Sequence, residues 1–148
     1  ELAVDRIEAA VGAARSAAGD LVVLARADGV LNGSYDLDEG IRRLQAFERV
    51  GADAVYLPGP PGVDALRRIC ASVSAPVNAL AAGPFTSLTR DDFAQLGVAR
   101  ISLGSSLARV THRAMIDAAR SILDDGDFSA LGGGIAGSEV DALLDRGR

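Results

Sequence analysis

The sequence repeatedly sets a short aliphatic run behind an amphipathic stretch that ends in a stop signal. This alternation constrains the fold more than any single residue does. Leu2, Ile7, Ala10, Val11 and Ala14 fall at helical spacing among charged positions, up to Gly19. Residues 21–28 then read as a strand buried on both faces, turning polar at its end. Asp36 or a residue nearby begins a second helix carrying Ile41, Leu44 and Phe47 on one face and ended by Gly51, and residues 52–57 form the next strand. Residues 63–73 repeat the helix and residues 76–80 the strand. Thr89 caps a helix running through Asp92 and Leu96 to Gly97, and residues 99–103 follow as a fourth strand. A long helix over residues 107–123 closes the pattern.

Successive strands start about two to three dozen residues apart, the spacing of a strand, a crossover helix and the next parallel strand. Parallel repetition of this kind requires helices over the sheet. Two architectures fit: a small doubly wound sheet, or half of an eight-stranded barrel of about 250 residues. Periodicity does not choose between them.

The 148 residues carry a net charge of −5 from interspersed acids and bases, with no basic stripe for a nucleic-acid backbone. No apolar run approaches the roughly 18 residues of a membrane span, and the amino terminus has no signal-like core, so no membrane partner and a cytoplasmic setting are expected. Cys70 and His112 are the single cysteine and histidine; they exclude an internal disulfide and a Cys/His metal cluster, leaving oxygen ligands for any metal. The chain starts with Glu1 inside a helical pattern, which leads us to expect a truncated or partly observed protein. Residues 1–128 are expected to form the α/β domain, and residues 129–148 a glycine-rich tail with a short helix over 139–144.

In parallel α/β proteins ligands gather beyond the carboxyl ends of the strands. On the first strand Val22, Leu24, Arg26 and Asp28 share a face, which places a charged pair at that end. Arg26 offers a planar fork suited to carboxylate or phosphate, or else an ion pair with Asp28 or a loop. Asp28 is a candidate for orienting Arg26, for capping the following turn, or for binding a metal-held water, with the first two preferred. Asn78 lies in an otherwise apolar strand, where its amide must find partners, either a substrate or a neighbouring loop. Gly104, Ser105 and Ser106 stand where a helix begins and form either an anion-binding rim or, as preferred, an ordinary serine cap. His112, Cys70 and Met115 read as surface or core residues. Ser/His/acid sets and Walker loops are missing.

Leu24-Ala25-Arg26-Ala27-Asp28, the run from Asp36 to Phe47, Gly51-Ala52-Asp53, Pro76-Val77-Asn78 and the run from Leu96 to Gly104 together resemble the isocitrate lyase/phosphoenolpyruvate mutase superfamily, over roughly residues 1 to 128. The resemblance implies the C-terminal half of a (β/α)8 barrel whose long last helix is often exchanged between subunits, giving a homodimer or homotetramer. It also implies Mg²⁺-dependent chemistry on C–C or C–P bonds of small 2-oxo or 2-hydroxy acids or phosphonates, through an enolate-like species. Position by position, Arg26 matches the strand-five arginine that contacts the anionic group of the substrate, and Asn78 matches the strand-seven polar contact. Asp28 adjoins the motif as an orienting residue, and Ser105 is a further candidate contact. The metal-binding acids are expected upstream of this chain, so no metal ligand is assigned within it. The strand-six end, Tyr56-Leu57-Pro58-Gly59, lacks the glutamate of typical isocitrate and methylisocitrate lyases. A phosphonomutase-like, phosphonate hydrolase-like or oxo-acid decarboxylase-like member therefore fits better. The alternatives are an inactive half-barrel used for assembly and a small anion-binding α/β module.

Overall fold

Every expected strand forms, and most are shorter than the aliphatic run that announces them. The computed structural model describes residues 1–146, so the last two residues of the expected tail lie outside the described residues. In chain order the elements are α1 (Leu2–Ser16), β1 (Leu24–Arg26), α2 (Leu37–Arg49), β2 (Ala54–Tyr56), α3 (Val63–Ser72), β3 (Val77–Leu80), a 3-10 turn (Gly83–Ser87), α4 (Arg90–Gln95), β4 (Val98–Ser102), α5 (Ser106–Asp125), a second 3-10 turn (Ser129–Gly133) and α6 (Gly137–Asp145).

The four strands are parallel and lie in the order β1-β2-β3-β4. Sequential order without reversal is barrel winding; a doubly wound sheet has a switch point where the order turns back. Leu24, Ala25 and Arg26 pair with Ala54, Val55 and Tyr56, Tyr56 pairs with Asn78, and Asn78 with Arg100. Arg26, Tyr56, Asn78 and Arg100 thus form one row across the sheet, on one face.

The opposite face is the packed one. Ala25, Val55 and Val77 lie in a core with Ile41, Leu44 and Phe47 of α2 and Ile69 of α3, and Leu44 and Val55 are fully buried. Ala79 lies in a second core with Leu66, Phe85, Phe93 and Leu96. α2 starts where its sequence signal places it: the Asp36 carboxylate accepts from the Glu39 N–H at 2.9 Å. At α4 the Thr89 Oγ1 accepts from the Asp92 N–H at 3.2 Å while the Asp92 carboxylate accepts from the Thr89 N–H at 2.8 Å, a reciprocal capping box.

The first strand departs from expectation. Leu21 and Val22 are exposed, by 57% and 73%, and the ladder starts only at Leu24. The Asp53 carboxylate accepts from the Val23 N–H at 2.8 Å, a side chain standing where a strand partner would. The same carboxylate accepts from Arg15 of α1 at 2.6 Å, and Arg15 also donates to the Gly51 carbonyl at 3.3 Å. Glu48 does similar work one unit on, accepting from the N–H groups of Ser74 and Ala75 at 2.8 and 3.0 Å. These acids clamp helices to the amino-terminal ends of strands, opposite the end where a site is expected.

The chain divides into two compact units, Glu1–Gly104 and the segment from Ser105 onward. In the second, α5 ends at Gly126 in the left-handed conformation, and Asp127 then accepts from the Ser129 N–H at 2.8 Å to start the turn. The glycine-rich stretch is therefore partly structured, and the boundary expected at residue 128 falls inside this unit. Along α5, Leu107, Val110, Met115, Ile116 and Leu123 are exposed. Among the described residues no helix is long and apolar enough to cross a membrane.

Arg15 and the Val23 N–H hold the Asp53 carboxyl below its ordinary value. A depressed folded pKa contributes stability above the unfolded value of about 4 and loses it as pH falls through the folded value. Asp53→Asn is therefore expected to lower the melting temperature at pH 7, with the gap to the native chain closing below about pH 4. A gap that stays constant down to pH 2 would remove this role. The exposed Leu21, Val22 and Leu103 and the unpaired outer edges of β1 and β4 further predict that residues 1–148 in isolation self-associate. Sedimentation velocity showing a single stable monomer would contradict this.

Candidate functional site

A cavity of about 540 Å³ opens on the face of the sheet that the helices leave free. Its floor is the row already described, because strand alternation turns Arg26, Tyr56, Asn78 and Arg100 to the same side while Ala25, Val55, Ala79 and Ile101 face the helices. Leu24, Leu80, Pro58 and Phe85 supply apolar wall. Gly59 shapes the rim: its φ is +69°, and a Cβ there would lie 3.2 Å from the Leu31 backbone, so the loops after β1 and β2 meet only through a glycine.

Arg26 ends β1 and is held from two sides. Its Nε donates to the Asp28 carboxylate at 2.5 Å, and its guanidinium lies 5.2 Å from the centre of the Tyr56 ring. Asp28 therefore orients Arg26; its own backbone carbonyl accepts from the Asn32 N–H in the turn at 3.3 Å. Among the described residues neither terminal nitrogen of Arg26 has a partner. The fork stays available to an anion, and the side chain is about half exposed. Burial raises the Tyr56 phenol above its ordinary value, opposed by the Arg26 charge, so the ring stays neutral at physiological pH.

Asn78 is 2% exposed, and its neighbours on β4 meet both ends of its amide while using one of the two Nδ2 hydrogens. Its Oδ1 accepts from Arg100 Nη1 at 2.7 Å, its Nδ2 donates to Ser102 Oγ at 3.1 Å, and the Ser102 hydroxyl donates to the Ala79 carbonyl at 3.1 Å. The partners are strand side chains, where the sequence had suggested substrate or loop. Arg100, Ser102 and Tyr56 were not singled out from sequence. The signal was available: Arg100 and Ser102 alternate on one face of a strand, and a cation within a strand is as unusual as the asparagine opposite it.

Ser105 takes the N-cap position of α5 without a side-chain capping bond, and it belongs to the second unit, whereas the cavity is lined by the first. His112 and Met115 are exposed on α5, and Cys70 is half-buried with its thiol held above its ordinary value by burial. No group of three or more His, Cys, Asp or Glu side chains that could hold a metal ion occurs among the described residues. The charged side chains on the cavity wall are Arg26 and Arg100, which suit an anion and repel a cation.

The model of the phosphoenolpyruvate phosphomutase family matches residues 1–123. This chain belongs to that family. An oxaloacetate decarboxylase from Paraburkholderia xenovorans (strain LB400) is 40% identical over 76 residues, which make up 51% of this chain and 24% of that protein. A Burkholderia cenocepacia J2315 structure described as a lyase/mutase superposes with a TM-score of 0.89 at 36% identity, covering 96% of this chain and 51% of that one. A phosphonopyruvate hydrolase solved with oxalate and Mg²⁺ superposes with a TM-score of 0.77 at 26% identity, covering 98% of this chain and 52% of that one. The chain thus spans about a quarter of the decarboxylase and about half of each structure. As a member of the phosphoenolpyruvate mutase/isocitrate lyase superfamily it has the fold of a partial (β/α)8 barrel, with enzymes among its relatives.

Replacing Asn78 by Leu would leave an arginine donor and a serine hydroxyl beside a buried aliphatic group. Asn78→Leu is expected to cost about 1–3 kcal/mol in urea denaturation, more than the gain from burying an apolar side chain. Unchanged stability would show that water satisfies both groups without cost.

Proposed function

We propose that this chain supplies part of the active site of a Mg²⁺-dependent lyase or mutase. It would act on C–C or C–P bonds of small 2-oxo or 2-hydroxy acids or phosphonates through an enolate-like species. The observation that carries this is Arg26, fixed at Nε by Asp28 and on its face by Tyr56, with both terminal nitrogens unpaired among the described residues and the side chain lining a cavity with an apolar wall. A carboxylate or phosphonate meeting that fork gains two parallel charge-assisted hydrogen bonds, and a guanidinium already held loses little freedom in making them.

The cavity suits the rest of such a substrate. Apolar wall excludes water, which strengthens each charged contact, and Asn78 lies one strand from Tyr56 on the same row, able to meet a second substrate oxygen. Mg²⁺ in this family would polarise the carbonyl and stabilise charge on the developing enolate oxygen. The described residues offer it no acid cluster, so we assign its ligands to the part of the relatives' length that this chain does not span. What Arg26 contributes is binding and orientation of the anionic end of the substrate, placing the scissile bond against groups held elsewhere in the barrel.

The test is turnover of phosphonopyruvate and of oxaloacetate by the complete protein with Mg²⁺. Arg26→Ala is expected to lower kcat/KM by about 100-fold or more on the substrate turned over, and Arg26→Lys to recover little, since an ammonium offers no planar fork. Wild-type turnover in Arg26→Ala would end the assignment of Arg26. Failure of the native protein to turn over or bind any such acid would end the enzymatic proposal.

A further inference from the structure

The hydrogen bonds around Asn78 have a direction, and Arg100 sets it. A guanidinium only donates, so the atom of the Asn78 amide that meets Arg100 Nη1 at 2.7 Å is Oδ1. Nδ2 then points the other way, to Ser102 Oγ at 3.1 Å, and the Ser102 hydroxyl passes its own hydrogen to the Ala79 carbonyl. Ser102 cannot set this order by itself, because a hydroxyl donates or accepts as its neighbour requires. The chain runs one way from Arg100 to the backbone of β3.

Two further facts single out Arg100. It lies on β4 directly across from Asn78 in the ladder, with its side chain on the cavity face. No carboxylate partner is paired with it among the described residues, unlike Arg26 with Asp28 or Arg15 with Asp53. Its positive charge is therefore uncompensated locally and adds to that of Arg26 at the other end of the row.

We infer that Arg100 is a positioning residue: by holding Asn78 Oδ1 it turns the amide so that Nδ2 presents its second N–H as a donor, tuning this part of the cavity for an anionic or carbonyl oxygen of the substrate. An amide turned the other way would present its oxygen, which repels an enolate or carboxylate. This deepens the proposed function and rests on the cavity being the oxo-acid site.

The experiment measures oxalate affinity by calorimetry on the complete protein with Mg²⁺. It also follows the Asn78 side-chain amide signals by ¹H–¹⁵N NMR, with circular dichroism confirming that each variant is folded. Arg100→Gln, whose own amide can donate or accept, is expected to weaken oxalate about tenfold or more and to abolish the oxalate-induced shift of the Asn78 NH₂ signals. Arg100→Lys, again donor-only, recovers most of that loss. Ser102→Ala costs about threefold or less, because Arg100 still fixes the amide.

Equal losses in Arg100→Gln and Arg100→Lys would overturn the positioning role, as would an unchanged Asn78 shift in Arg100→Gln. If Arg100→Gln does not fold, an Arg100→Lys affinity as poor as that of Asn78→Asp, which presents only acceptors, overturns it equally. Arg26→Ala separates the two proposals. Oxalate binding lost in Arg26→Ala but unaffected in Arg100→Gln leaves the site and removes the role of Arg100. Binding unaffected in Arg26→Ala removes the site itself.

Discussion

Parallel pairing in a fixed register is what the rest of this structure depends on. Because side chains alternate along each strand, one register decides which residues of four separate strands share a face, and a slip of one residue on any strand would exchange the faces. With Arg26 opposite Tyr56, Tyr56 opposite Asn78 and Asn78 opposite Arg100, the polar and cationic residues collect on one side, while Ala25, Val55, Val77 and Ala79 turn to the other. The helices cover the aliphatic side because Leu44, Ile69 and Phe93 have nowhere else to bury.

Charge is divided between the two ends of the strands according to task. At the amino-terminal ends the carboxylates of Asp53 and Glu48 are consumed by backbone N–H groups and by Arg15, and they hold helices and strand starts together. In the row that Arg26 shares with Arg100, Asp28 takes one nitrogen of Arg26, and among the described residues the other two have no partner and Arg100 has no carboxylate partner. The first arrangement satisfies its charges internally; the second leaves cationic nitrogens without carboxylate partners among the described residues. This is the division expected of a barrel, where the bottom is built for stability and the top for chemistry.

Polar contacts on the cavity face also explain how an asparagine survives at 2% exposure. A buried amide with unmet hydrogen bonds is costly, and here both of its ends are met by side chains of the next strand in the sheet. The same bonds that make Asn78 tolerable fix its orientation. A requirement of folding becomes a property of the site.

Local pattern by itself determined the βα repetition, a helix start near Asp36, the cap at Thr89 and the buried helix faces, and it marked Arg26 and Asn78 as candidates, because each depends on neighbours a few residues away in sequence. The motif resemblance added the family, which the match over residues 1–123 bears out. Pattern misjudged the start of β1, since nothing local says that the carboxylate of Asp53, the residue before β2, takes the Val23 N–H. It left open barrel against doubly wound sheet, Asp28 as orienting residue against cap, and the partners of Asn78, and it passed over Arg100, Ser102 and Tyr56. Only the tertiary structure decided these, for one reason: strand order and register are long-range quantities, and they alone bring Arg100 opposite Asn78 and Tyr56 beneath Arg26.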